Sequence, residues 1–172
     1  MKIPMIVLAV LVGIVVLVAA IGWMLPVKHV ATRQATYRAT PETVFTTISD
    51  VERLPAWRAS VKSVEMDVSQ PGRTRFRETG SDGTIAYVVE ESVSPRRRVT
   101  RIDDASLPFG GTWTYELTPA GDGTTLRITE HGEVYNPIFR VMSRFVFSHH
   151  RTMETYLTEL GTKLGSAATI QP

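Results

Sequence analysis

Cysteine is absent from all 172 residues. That excludes disulfides, thiol nucleophiles and thiolate metal ligation, Rieske-type iron–sulfur centres included, and leaves the redox compartment open. Histidine is scarce: the four are His29, His131, His149 and His150. The adjacent pair points about 100° apart on a helix and has no i, i+4 partner, so no metal is expected. Neither a phosphate-cradling glycine loop nor a nucleophile-elbow serine occurs, and no cofactor is expected. Charge of one sign is missing as well. Beyond the apolar N-terminal run, 18 basic residues stand against 17 acidic ones. Phosphate-binding surfaces are strongly basic, so nucleic acid is not an expected partner.

What is present begins with residues 3–25, IPMIVLAVLVGIVVLVAAIGWML, 23 residues without a charge. Such a run is long enough to span a hydrocarbon core of about 30 Å. Trp23 sits where an interfacial aromatic belongs, and Pro26 stops the helix. The competing reading is a cleaved signal peptide with Val18 and Ala20 as its small-residue site. A signal core is shorter, about 7–15 residues, so residues 1–26 are read as a membrane anchor and 27–172 as one domain. The short basic head resembles a signal-anchor and puts that domain outside the cytoplasm. Nothing here specifies an oligomeric state.

In chain order, His29 to Ala39 reads as a strand. Thr40-Pro41-Glu42 starts a short helix, with threonine as N-cap, proline at the first position and an acid facing the helix dipole. Val51 to Trp57 is a second helical piece. Six strand signals follow: Val61–Val68, Arg73–Thr79, Thr84–Val93, Arg98–Ile102, Gly111–Thr118 and Thr124–Tyr135. They are separated by turns at Gln70-Pro71-Gly72, Ser81-Asp82-Gly83 and Ala120-Gly121-Asp122-Gly123. Asn136-Pro137 then opens a helix of roughly 28 residues, about 40 Å long at about 1.5 Å per residue. Ile138, Phe139, Met142, Phe145, Val146, His149, Met153, Tyr156, Leu157, Leu160 and Leu164 share one face of it. Phe147 lies off that face. The order predicts an α+β fold: one curved antiparallel sheet of seven strands around a C-terminal helix.

Strand alternation assigns the inward residues. They are Phe76 and Glu78; Ile85, Tyr87, Val89 and Glu91; Trp113, Tyr115 and Leu117; and Leu126, Ile128, Glu130 and Val134. An unpaired buried charge costs several kcal/mol. Glu78, Glu91, Glu130 and His149 on inward faces therefore predict a partly polar cavity. For any single glutamate the plainer account is a sheet edge, a strand end or an arginine partner, and for His149 a satisfied core histidine. Arg96-Arg97-Arg98 reads as a solvated turn, or as a contact for anionic headgroups.

The element order, the TPETVFTTISDVERLPAW opening, the WTYELTPAGDGTTLRITEHGEV hairpin and the NPIFRVMSRF helix together resemble the START-like, or SRPBCC, superfamily. The nearest branch is the polyketide cyclase/dehydrase and lipid-transport type, and the likeness spans about residues 28–165. It implies a helix grip with a hydrophobic tunnel. The lining would include Trp57, Phe76, Tyr87, Trp113, Tyr115, Met142, Phe145, His149 and Met153. Membrane-anchored binding of an apolar small molecule such as a lipid or isoprenoid is the leading expectation, with Glu130 and His149 orienting the ligand. An enzyme of the polyketide cyclase/dehydratase kind would use His149 or an inward glutamate such as Glu130 as general base. A structural envelope protein with a filled cavity is the third possibility.

Overall fold

A computed structural model describes residues 2–69, 72–81, 83–145 and 149–172. The apolar run forms α1, Lys2–Met24. Strand β1, Lys28–Tyr37, leads into α2, Pro41–Ser49. Thr40 caps that helix as its sequence requires, its hydroxyl accepting from the Thr43 N–H at 3.3 Å. A 3-10 segment over Val51–Ala56 carries the chain to the far edge of the sheet. There a meander runs through β2, Val61–Asp67, β3, Arg75–Gly80, β4, Gly83–Val93, β5, Arg97–Ile102, β6, Phe109–Ala120, and β7, Gly123–Val134.

All pairings are antiparallel, and β7 returns to lie beside β1. The helices α3, Pro137–Phe145, and α4, His149–Lys163, follow, and β8, Thr169–Gln171, pairs with β1. The order across the sheet is β2-β3-β4-β5-β6-β7-β1-β8. The sheet thus has eight strands, not the expected seven. The extra one arises because the tail turns back at Gly165, whose φ of +66° suits glycine, and reaches the free edge of β1.

The core lies between the concave face and α4. Met153, Tyr156, Leu157 and Leu160 recur at helical spacing and are buried against Ala31, Ala35, Tyr37, Tyr115, Leu117, Leu126 and Ile128. The Tyr37 hydroxyl donates to the Leu157 carbonyl at 2.9 Å, tying β1 to the middle of α4. A second cluster at the other end joins Val51, Leu54, Val61, Phe76 and Val89.

Three expectations need correction. The C-terminal helical residues do not share one buried face: α4 is core, whereas Ile138, Phe139, Met142 and Phe145 of α3 are exposed. Glu91 does not point inward, because a bulge between Val89 and Glu91 reverses the alternation and sets Glu91 beside Arg97 on the convex face. Arg98 is not solvated; β5 begins at Arg97, so Arg98 lies within the ladder opposite Tyr115. Gln70, Pro71, Asp82, Val146 and Phe147 lie outside the described residues, as does the side chain of His149.

Candidate functional site

The concave face gathers three rings around Tyr156 of α4. Trp57 meets it edge-on at 5.3 Å between centroids, Trp113 edge-on at 5.8 Å, and Tyr115 lies tilted at 5.8 Å. Arg58 stands over the same ring at 5.2 Å, a cation–π contact. Phe76 and Tyr87 stack beside them with centroids 5.3 Å apart. These rings come from the 3-10 segment's end, three strands and α4, so the tertiary fold alone assembles them.

Two polar pairs flank the rings. Nη1 of Arg58 donates to both carboxyl oxygens of Glu78 at 3.0 Å. Burial raises the Glu78 pKa, and the nearby Arg58 charge offsets that only in part. For Arg58 burial pulls down, yet Glu78 and the surrounding phenols outweigh it and the guanidinium ends above its ordinary value. At the end of the sheet near α1, Glu130 holds His29 Nε2 at 3.0 Å through one oxygen and accepts from Trp113 Nε1 at 2.8 Å through the other. His29 lies over Gly132, where a Cβ would collide with its ring, so glycine makes room for that pair.

Arg98 is the exception among the buried charges. It is 5% exposed, its Nη2 is buried without a hydrogen-bond partner, and no carboxylate among the described residues pairs with it. Burial lowers its pKa, opposed only by the tyrosines Tyr115 and Tyr156. Its chain neighbours are satisfied: Arg97 by Glu91 and Glu116, Arg101 by Glu90 and Asp103. Burial pushes Tyr115 up to about 12 and Tyr156 well above its usual value. Both phenols therefore stay protonated at neutral pH. The interior offers donors to an oxygen acceptor: the unpartnered Nη2 of Arg98 and Nε of Arg58, and the phenols of Tyr115 and Tyr156, which also bond each other. A base is less in evidence, since both oxygens of Glu78 and of Glu130 are engaged.

Of the residues expected from the sequence, Trp57, Phe76, Glu78, Tyr87, Trp113, Tyr115, Glu130 and Met153 are brought to the concave side. Met142 and Phe145 sit on α3, exposed, and His149 begins α4. Sequence reasoning did not single out Arg58 and read Arg98 as part of a solvated or headgroup-binding turn rather than as an interior residue. A signal for Arg98 existed in the alternation of Arg98, Thr100 and Ile102 along a strand, which puts all three on one face. Nothing local marks Arg58, since its partner is 20 residues away.

Two clefts open elsewhere. One of about 350 Å³ lies beside the C-terminal turn, lined by Thr158, Gly161 and Ser166 among others. The other, about 410 Å³, is lined by Thr43, Asp50, Arg53, Trp57 and Lys163 among others. Trp57 belongs both to this second cleft and to the ring cluster, so its indole is the partition between surface and interior. Among the described residues no group of three or more His, Asp or Glu is placed to hold a metal ion.

Residues 28–162 match the family model described as polyketide cyclase / dehydrase and lipid transport. No curated protein matches the sequence. Among solved structures, a Thermus thermophilus protein is 24% identical with a TM-score of 0.62, covering 80% of this chain and 96% of its own. A START superfamily protein from Mycobacterium smegmatis is 17% identical with a TM-score of 0.59, covering 80% and 97%. The Zhui aromatase/cyclase from Streptomyces sp. R1128 is 10% identical with a TM-score of 0.63, covering 80% and 94%. At such identities the likeness shows a shared helix-grip fold and leaves activity open.

Proposed function

We propose that this chain, which belongs to the polyketide cyclase/dehydrase and lipid-transport family, binds an apolar small molecule bearing one anionic or strongly accepting oxygen. In this reading residues 1–26 anchor it in a membrane, with residues 27–172 as the binding domain on the extracytoplasmic side. The observation that carries it is Arg98, a buried cation with no carboxylate partner among the described residues. Leaving a charge unpaired in a core costs several kcal/mol. A ligand oxygen at Nη2 offsets that cost, with Tyr115 and Tyr156 positioned nearby as further donors. The ring cluster supplies the apolar part of binding, at roughly 25 cal/mol per Å² removed from water. Because the rings already pack on one another, a guest takes the place of ring–ring contacts, and movement of Trp57 opens the way from the second cleft. Glu130 stays in the site as the group that orients Trp113.

The cyclase reading shares the same fold and the same donors, which would stabilise an enolate oxygen. Its candidate bases beside the rings, Glu78 and Glu130, have both oxygens engaged, and it draws less support. Native mass spectrometry of the full-length chain, released from nanodiscs and paired with an organic extract, tests the proposal. An extra mass that is lost on denaturation and carries an acidic or carbonyl oxygen is the expected result. Its loss in Arg98→Met and retention in Arg98→Lys would locate the contact. An apo mass in every preparation would overturn the binding reading. Turnover of a polyketide-like substrate would favour the cyclase.

A further inference from the structure

Helix α3 wears its apolar residues on the outside. Ile138, Phe139, Met142 and Phe145 fall within one arc, with Arg140 and Arg144 opposite. Their exposures are 40, 50, 36 and 69% in that order, and no residue of α3 is buried. The helix is nonetheless fixed in place. Along α1 a single line is covered, at Val18, Ala19, Gly22 and Leu25, while the residues around it are exposed. The element packed on α1 is α3. A Cβ on Gly22 would collide with the Pro137 carbonyl oxygen, so the two backbones touch there.

Arg140 completes the joint. Its Nη1 donates to the carbonyls of Gly22 at 3.1 Å and Leu25 at 3.4 Å, at the end of α1. Its Nε and Nη2 hold the carbonyls of Val134 and Tyr135, each at 2.8 Å, where β7 ends. One guanidinium thus locks the end of the apolar helix, the end of the sheet and α3 together.

We propose that α3 is a membrane-interface helix that immerses Ile138, Phe139, Met142 and Phe145 in the headgroup–acyl boundary of a bilayer, holding the domain at a set tilt. This rests on the reading of α1 as a membrane anchor. The occupant of the exposed stripe follows from continuity: whatever medium surrounds the last turns of α1 also meets α3. From Val18 to Leu25 is about 10 Å at about 1.5 Å per residue. Interfacial helices sink about 5–10 Å. The two depths agree. Trp23, 79% exposed on the same stretch of α1, is the aromatic expected at that level. Arg144, on the polar side and exposed, is placed for lipid phosphate.

The absence of cysteine makes the test direct. Single cysteines are introduced into the full-length chain as Phe139→Cys, Met142→Cys, Leu11→Cys and Thr36→Cys. Each is labelled with an environment-sensitive nitrobenzoxadiazole and reconstituted in phosphatidylcholine/phosphatidylglycerol nanodiscs containing spin-labelled lipid. The α3 sites are expected to emit at shorter wavelength and to lose most of their fluorescence to lipid labelled near the ester. The Leu11 site should be quenched by lipid labelled deep in the chain, and the Thr36 site by neither. Quenching at Leu11 with α3 sites behaving like Thr36 would overturn this inference and leave the anchor standing. A blue shift at the α3 sites without lipid quenching would mean a protein partner or a second copy, and would overturn it as well. No quenching at Leu11 would sink the anchor reading and this inference with it.

Discussion

Arg58 and Glu78 form a chelate across the fold: one guanidinium nitrogen reaches both carboxyl oxygens at 3.0 Å, with side chains 14% and 15% exposed. Removing one partner strands the other charge, which typically costs about 3–5 kcal/mol, whereas removing both with apolar residues of similar volume is often near neutral. Glu78→Leu alone should therefore lower stability markedly, and Arg58→Met/Glu78→Leu should recover much of the loss. Denaturant unfolding of the three variants measures it. Equal losses in single and double variants would mean that the pair contributes through packing alone.

Arg98 yields the opposite expectation. Replacing it with methionine removes an unpaired buried charge, so Arg98→Met should unfold at the same or a higher temperature than the parent. Ligand retention should fall in the same variant. Such a split between stability and binding is the mark of a residue kept for function. A strongly destabilised Arg98→Met would instead mean that the guanidinium is structurally satisfied.

The buried tyrosines set an alkaline limit. Tyr37, Tyr115 and Tyr156 are all raised, mainly by burial, Tyr115 to about 12. The folded state holds these protons more tightly than the unfolded one, whose tyrosines titrate near 10. Their contribution is full below pH 10 and is lost as pH rises through about 12 for Tyr115. Absorbance at 295 nm should show these phenols ionising together with the loss of far-ultraviolet dichroism. Ionisation of all five tyrosines near pH 10 in an intact fold would contradict this.

Arg140 should control the mobility of α3. Arg140→Ala leaves the carbonyls of Gly22, Leu25, Val134 and Tyr135 without this donor. Hydrogen exchange in α3 and the last turn of α1 should speed up well beyond that in α4, whose buried face is untouched. Uniform acceleration across the chain would indicate global destabilisation instead.

The sheet was legible because its signals are local. Alternation in Tyr115-Glu116-Leu117 and Leu126-Arg127-Ile128 assigned the faces that burial bears out. Thr40-Pro41 announced α2, and the turn at Gly121, with φ +58°, closes the β6–β7 hairpin where the glycines predicted it. Errors came where a face depends on something distant. The bulge that turns Glu91 outward leaves no mark in composition. The division of the C-terminal helical face between core and exterior depends on α1, which the periodicity of residues 138–164 cannot register.

The sequence by itself determined the apolar span, the α+β order, the helix-grip resemblance and the aromatic character of the concave face. These follow from period and residue type, which are set by neighbours a few positions away. Tertiary structure decided which charges are buried and which of them find partners. It paired Arg58 with Glu78, gave Glu130 to His29 and Trp113, left Arg98 unmatched, and clamped α3 to the end of α1 through Arg140. The physical reason is range. Hydrophobic patterning is written along the chain, but electrostatic satisfaction is a property of groups that only folding brings within about 3 Å of one another.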